Sequence, residues 1–393
     1  MTDLVIRQSK RIELILRNSL AVRIAFLCFL LFCFFVSVEM LVGSFRNIGG
    51  GIVGQFMTAT SNPFIGLFAG ILVTSITQSS SSTTSLVVAI VASGVLSLQN
   101  AVPVILGANI GTTVTSTLVS LGHIHKKKEF ERAISAGTLH DFFNILTVII
   151  LLPLEFYFHI LSGTSAFLAG LFDFGIENEN VSGNYGIKSV AAFFLSFMKE
   201  AVWVSLIVSA VMLFTSLRLL VYQLKSLWIK RFQENFNEKI FGSSWKALLS
   251  GAVLTGIVQS SSVTTSLTVP LVATQKITLE KAFPFIVGAN IGTTVTALLV
   301  AVSKSDAALA IALCHFLFNV FGAMVLLPVP FIRQIPIYMA SALGKKTMQF
   351  RIAGFLYILL VFFVLPFLLI FGSLKKAPLP AESNASENVS NKK

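Results

Sequence analysis

The chain has 393 residues, 55% of them hydrophobic and 12% charged, with a mean hydropathy of +0.84. A soluble domain carries roughly 25% charged residues, so this composition excludes an ordinary water-soluble globule. The formal charge of +12 follows from basic loops on one side of a membrane and calls for no nucleic-acid partner.

In chain order, residues 1–20 are basic and read as a cytoplasmic N-terminal segment. The apolar run 21–43 is too long for a signal peptide and precedes no small-residue cleavage pattern, so it reads as a retained span. Further spans are expected at 101–121, 133–157, 200–222, 282–302, 306–328 and 351–372, each long enough for the bilayer. Two other apolar segments, 62–98 and 244–276, carry a polar row at their centre, and neither half of either one comfortably reaches a span's length. They are predicted to be re-entrant hairpins, whose non-helical tips must face protein or a watery cavity. The stretches 123–132 and 218–246 are net basic, whereas 158–199 holds Asp173, Glu177 and Glu179. The positive-inside rule then places the N-terminus inside and 158–199 outside. Residues 329–372 read as a connecting segment with the last span, and 373–393 as a disordered, external tail. Cys28, Cys33 and Cys314 all fall in apolar runs, with neither metal nor disulfide spacing.

An offset of 181 aligns 70–115 with 251–296 without a gap, and 27 of the 46 pairs are identical, far beyond chance. Within it Gln78-Ser79-Ser80-Ser81 matches Gln259-Ser260-Ser261-Ser262, and "GANIGTTVT" occurs at both 107–115 and 288–296. A third shared element, H-x-x-F-N, runs from His140 to Asn144 and from His315 to Asn319. The expected class is therefore all-α and polytopic: two copies of one unit, 21–157 and 200–328, each with a re-entrant helical hairpin. Three crossings per unit turn the second copy upside down. Inverted repeats with broken helices are the plan of secondary transporters, with the site where the copies meet.

At each tip, the N-terminus of the returning half-helix favours an anion. Ser80, Ser81, Ser261 and Ser262 stand where that start should be, and Gln78 and Gln259 can both donate and accept. Carbonyls ending the entering arms suit a hard cation. Small-residue packing alone is the competing account of the serines. The glycines of GANIGTTVT suit close helix contact or local unwinding, while Asn109, Asn290 and the paired threonines offer oxygens; no lysine is present for a phosphate-cradling P-loop. Asp141 lies inside the run 133–157, where an ionisable group is a functional hypothesis by default, and Phe316 replaces it in the second copy. Glu39 and Glu155 are weaker candidates nearer the membrane edges. The repeated elements hold no Lys or Arg at the expected midplane, so an anionic substrate needs helix N-termini and co-bound cations. No residue group has convincing catalytic or metal spacing, which argues against an enzyme.

"TQSSSSTTS", "VQSSSVTTS", "VPVILGANIGTTVT", "FPFIVGANIGTTVT" and "HDFFNILTVIILLPLE" together resemble the type II sodium-dependent inorganic phosphate cotransporter family of bacteria and of animal kidney and gut. The resemblance covers roughly 21–372 and implies a bacterial member in the cell membrane, bathed in lipid. It implies divalent phosphate bound by Ser80, Ser81, Ser261 and Ser262 with Gln78, Gln259, Asn109 and Asn290. Sodium, the co-transported ion, is then assigned to Ser79, Ser260, Thr83, Thr264, Thr113, Thr294, Asp141 and Asn144. In family members that carry this aspartate it supports an additional sodium, which implies three Na⁺ per HPO₄²⁻ and one net charge moved inward. The segment 158–199 departs from the animal proteins in being short and cysteine-free. A symporter of another oxyanion such as sulfate or arsenate is the alternative, and an anion channel stands behind it.

Overall fold

The computed structural model describes residues 20–48, 50–171, 185–198, 201–234, 238–302 and 304–374. The N-terminal segment to 19, the acidic middle of 158–199 and the tail from 375 lie outside the described residues.

Every element described is helical. The seven long apolar helices are Ala21–Arg46, Leu98–His123, Lys127–Phe158, Val202–Lys225, Leu279–Ala301, Asp306–Leu326 and Ile352–Ser373. Each falls on an expected span, because an apolar run of about 20 residues has no other way to hide its backbone in lipid. The chain is an all-α, polytopic membrane protein.

In chain order the first elements are α1 (Leu20–Arg46), α2 (Gly50–Thr60), α3 (Pro63–Thr77), α4 (Ser80–Ala92), α5 (Leu98–Thr112), α6 (Val114–Ser120) and α7 (Lys127–Phe158). Then come α8 (Ile160–Leu171), α9 (Tyr185–Phe197), α10 (Val202–Glu234), α11 (Glu238–Phe241), α12 (Ser244–Val258), α13 (Ser261–Ser266) and α14 (Thr268–Ala273). The last are α15 (Leu279–Ala301), α16 (Asp306–Leu326), α17 (Pro330–Gln349), α18 (Ile352–Leu359) and α19 (Leu365–Leu374). A wide turn of helix at Leu360–Val364 joins the last two into one span.

Segments 62–98 and 244–276 fold as broken pairs of short helices, α3 with α4 and α12 with α13 and α14. Asn62 opens α3 by accepting the Phe64 N–H, with Pro63 at the first helical position, where its missing N–H costs nothing. Ser243 caps α12 in the same manner through the Lys246 N–H. α13 and α14 continue through Leu267, which keeps right-handed helical geometry, as one returning arm.

The repeated glycines set how deep the entering arms sit. A Cβ on Gly107 would collide with the Leu67 carbonyl, and one on Gly70 with that of Val104. The same collisions recur at Gly288 with Leu248 and at Gly251 with Phe285. So α3 packs on α5, and α12 on α15, backbone against backbone, as small residues permit in membranes. Pro103 and Pro284 are carried within these helices. The first copy is interrupted at Thr113 between α5 and α6, whereas α15 runs on unbroken.

Four helices longer than a single turn were not expected. α8 and α9 lie within 158–199, read from sequence as a loop, and α17 lies in the stretch read as a connection. α8 packs on α16, α17 on α7, and α9 on α1. The Glu155 carboxylate accepts the N–H groups of Leu161 (2.7 Å) and Ser162 (3.1 Å), closing the start of α8. α8 and α9 have 12 and 13 residues, too few to cross a bilayer, so neither leaves an apolar run of span length in the sequence. α2 was missed for the same reason; it meets α3 at a bend of 98°.

Candidate functional site

Both QSSS rows break their helices in the same way. Gln78 takes the left-handed conformation (φ 55°), with its N–H on the Thr74 carbonyl at 2.7 Å. Gln259 repeats this (φ 61°), with its N–H on Thr255 at 2.6 Å. A non-glycine residue there carries a steric cost, which the surrounding structure must hold. Ser79 and Ser260 follow in extended geometry and cap the returning arms, accepting the N–H of Ser82 and Val263. The hydroxyl of Thr83 donates to the Ser79 carbonyl and that of Thr264 to the Ser260 carbonyl, both at 3.2 Å. Each cap occupies the third N–H of its arm. The amides of Ser80, Ser81, Ser261 and Ser262 are thus the ones that face outward from the helix ends.

The two tips meet. One cavity of about 620 Å³ is lined by Gln78, Ser79, Ser80, Ser81, Gln259, Ser260, Ser261 and Ser262, with Thr115 and Ser82 beside them. Ile76, Thr77 and Val263 also line it, and a face of α10 adds Phe214, Leu217, Arg218 and Val221. Contacts between the copies hold the tips in place. Ser116 and Thr265 share a hydrogen bond at 2.8 Å, and the Ser262 hydroxyl donates to the Thr112 carbonyl at 3.5 Å. The tips differ in their side-chain partners: the Thr74 hydroxyl donates to that of Thr83 at 2.9 Å, whereas the matching Thr255 hydroxyl is buried without a partner. Gln259 donates to the Gly256 carbonyl at 2.8 Å and accepts from the Thr296 hydroxyl, while Thr115, the matching residue of the first copy, has a buried hydroxyl without a partner.

The other residues expected to form the site lie behind the cavity. Asn109 and Asn290 do not line it. His140 donates from Nε2 to Asn290 Oδ1, and His315 donates to Asn109 Oδ1 at 3.1 Å. Asn290 donates to Asn144 Oδ1 (2.9 Å), and Asn144 to the Asn109 carbonyl (2.8 Å). All five side chains are buried, so the histidine of each H-x-x-F-N element is spent on the asparagine of the other copy's GANIG. The Thr113 and Thr294 hydroxyls are turned onto the carbonyls of Ile110 and Ile291.

Asp141 is fully buried and accepts from Thr117 at 3.1 Å, with the hydroxyls of Thr113 and Tyr357 facing it. No cationic side chain pairs with it among the described residues. An uncompensated carboxylate in such a place is costly, and a small hard cation held with hydroxyl and carbonyl oxygens would offset it. Among the described residues no three His, Cys, Asp or Glu side chains converge on one point.

Sequence reasoning missed Thr117 and Tyr357, for which no local signal existed, and it missed Arg218. That arginine did carry a signal: it is an ionisable residue inside the expected span 200–222.

A polytopic membrane protein with two broken hairpins meeting at a buried polar cavity has the architecture of a membrane transporter. Residues 33–176 and 212–327 match the Na⁺/Pi-cotransporter family model, and the chain belongs to that family. It is similar to the human sodium-dependent phosphate transport protein 2B, at 32% identity over 449 aligned residues, covering 89% of this chain and 65% of that protein. It is also similar to the 2A proteins of rat (34% identity; 87% of this chain, 66% of that protein) and sheep (34%; 86% and 65%). The chain thus spans just under two thirds of the length of these relatives. No solved structure matches it.

Proposed function

We propose that this chain is a Na⁺-coupled symporter of inorganic phosphate that works by alternating access, with HPO₄²⁻ bound between the two QSSS tips. The observation that carries the reading is the single cavity in which both rows converge with the same backbone conformation. Eleven hydroxyl and amide side chains line a space of phosphate size and larger. The outward amides of two helix starts add partial positive charge, which suits an oxyanion. The printed names of the relatives, sodium-dependent phosphate transport proteins, fit the same substrate and ion.

Sodium is assigned to the oxygens around the tips, namely Ser79, Ser260, Thr83 and Thr264, and to Asp141 with Thr113, Thr294 and Asn144. Asp141 supplies the additional sodium that makes the cycle electrogenic, at three Na⁺ per HPO₄²⁻. The two copies are inserted with opposite topology and rock about the cavity. The reciprocal His140–Asn290 and His315–Asn109 bonds support this arrangement, since each copy holds the other through the same pair of motifs. The membrane is taken to be a bacterial cell membrane, on the short, cysteine-free segment 158–199.

The test is phosphate binding to the purified full chain in Na⁺. Ser80→Ala and Ser261→Ala, each removing one hydroxyl donor, are expected to weaken binding about tenfold. Unchanged phosphate affinity in both variants would remove the cavity from the account.

A further inference from the structure

The cavity wall opposite the serine rows holds one charge. Phe214, Leu217, Arg218 and Val221 lie at helical spacings of three, four and seven, so they share the face of α10 turned to the cavity. Arg218 is the one permanently charged residue among those lining the cavity, and it is exposed rather than packed. Among the described residues it forms no ion pair; the three pairs present join His123 and Lys126 to Glu129, and Lys304 to Glu39. A guanidinium inside a membrane span is expensive and is ordinarily matched by an acid or by a functional anion.

We propose that Arg218 is a phosphate-binding residue of this transporter, supplying the fixed positive charge that faces the serine tips across the cavity. This rests on the reading that phosphate binds in that cavity. The serines and helix starts provide directional donors with partial charge only. A planar guanidinium fork adds two parallel donors and a full charge, the geometry that fits a tetrahedral oxyanion. Arg218 lies seven residues before Lys225, where the span ends, or about 10 Å along the helix at its usual rise. It therefore lies in the part of the span nearer the end that the basic residues following it place in the cytoplasm. There it adds a full positive charge to the serine donors, on the side from which the dianion leaves for the cytoplasm. A lipid headgroup phosphate offers the same chemistry from the other direction, and the two sources are separable.

The experiment is phosphate binding to the purified full chain in saturating Na⁺, and Na⁺-driven uptake in liposomes of neutral or anionic lipid. Arg218→Gln is expected to weaken phosphate binding about tenfold or more. Its half-saturating Na⁺ concentration at saturating phosphate should stay unchanged, and Arg218→Lys should be intermediate. If Arg218→Gln binds phosphate as the parent does, or if only the response to anionic lipid is lost, the proposal is overturned and the residue anchors a headgroup. Ser80→Ala and Ser261→Ala measured alongside separate the two failures. Weakened binding in the serine variants with an unaffected Arg218→Gln rejects Arg218 alone, whereas no effect in any of the three rejects the cavity itself.

Discussion

The imidazole of His140 is hydrogen-bonded to the side-chain amide of Asn290, 150 residues away, and His315 is bonded in the same way to Asn109. Each bond runs from one copy of the repeated unit to the other. Both histidines are buried, and in both the second ring nitrogen, Nδ1, has no partner. His140→Ala should therefore leave the Asn290 oxygen unpaired and destabilise the protein by about 1–3 kcal/mol. A double-mutant cycle of His140→Ala with Asn290→Ala, read from thermal unfolding in detergent, should give a coupling of about 0.5–3 kcal/mol. Additive losses would mean the contact carries no energy.

The glycines of the GANIG elements act through contact distance. Gly107→Ala and Gly288→Ala place a methyl against the Leu67 and Leu248 carbonyls, backbone that cannot give way as a flexible side chain would. Each should cost about 1–3 kcal/mol or more and lower the unfolding temperature and the yield of folded protein. Gly163→Ala, with no atom within 4 Å of the added methyl, should be neutral or slightly stabilising in the same measurement.

Lys304, just after α15, is paired with Glu39 of α1, and both side chains are largely buried. Burial pushes the Lys304 ammonium below the ordinary lysine range, and the Glu39 carboxylate opposes that shift. Glu39→Gln leaves the ammonium without its counter-charge and should cost about 2–4 kcal/mol. Removing both charges with Glu39→Gln and Lys304→Met should recover most of the loss, because a desolvated pair contributes little net stability. Equal damage from the single and double variants would contradict this.

Asp141→Asn keeps the shape of the side chain and removes its charge. Under the proposed sodium assignment it should abolish the net charge moved per phosphate while leaving sodium-dependent uptake in place. The check is current and labelled phosphate measured together in the same vesicles. An unchanged charge-to-phosphate ratio would separate Asp141 from the additional sodium.

The seven spans were legible in the sequence because an apolar run of span length has one stable form in lipid. The hairpin breaks were legible at Gln78 and Gln259, because two polar rows at the same offset marked them. What the sequence hid is the reciprocal pairing. His140 and Asn144 read as neighbours along one helix, and only their packing shows them joined to Asn290 and, through its backbone carbonyl, to Asn109. Asn109 and Asn290, expected beside phosphate, lie one layer behind the cavity for this reason. α8, α9 and α17 were illegible because short or half-polar helices that pack on a neighbour carry no length signal of their own.

Under the proposed function, sodium and phosphate are coupled through one shared site. The most direct test of that coupling is uptake of labelled phosphate into proteoliposomes of the purified full chain, with an inward Na⁺ gradient and with K⁺ in its place. Coupled symport gives concentrative uptake with Na⁺ and none above background with K⁺. Uptake indifferent to the Na⁺ gradient would contradict it.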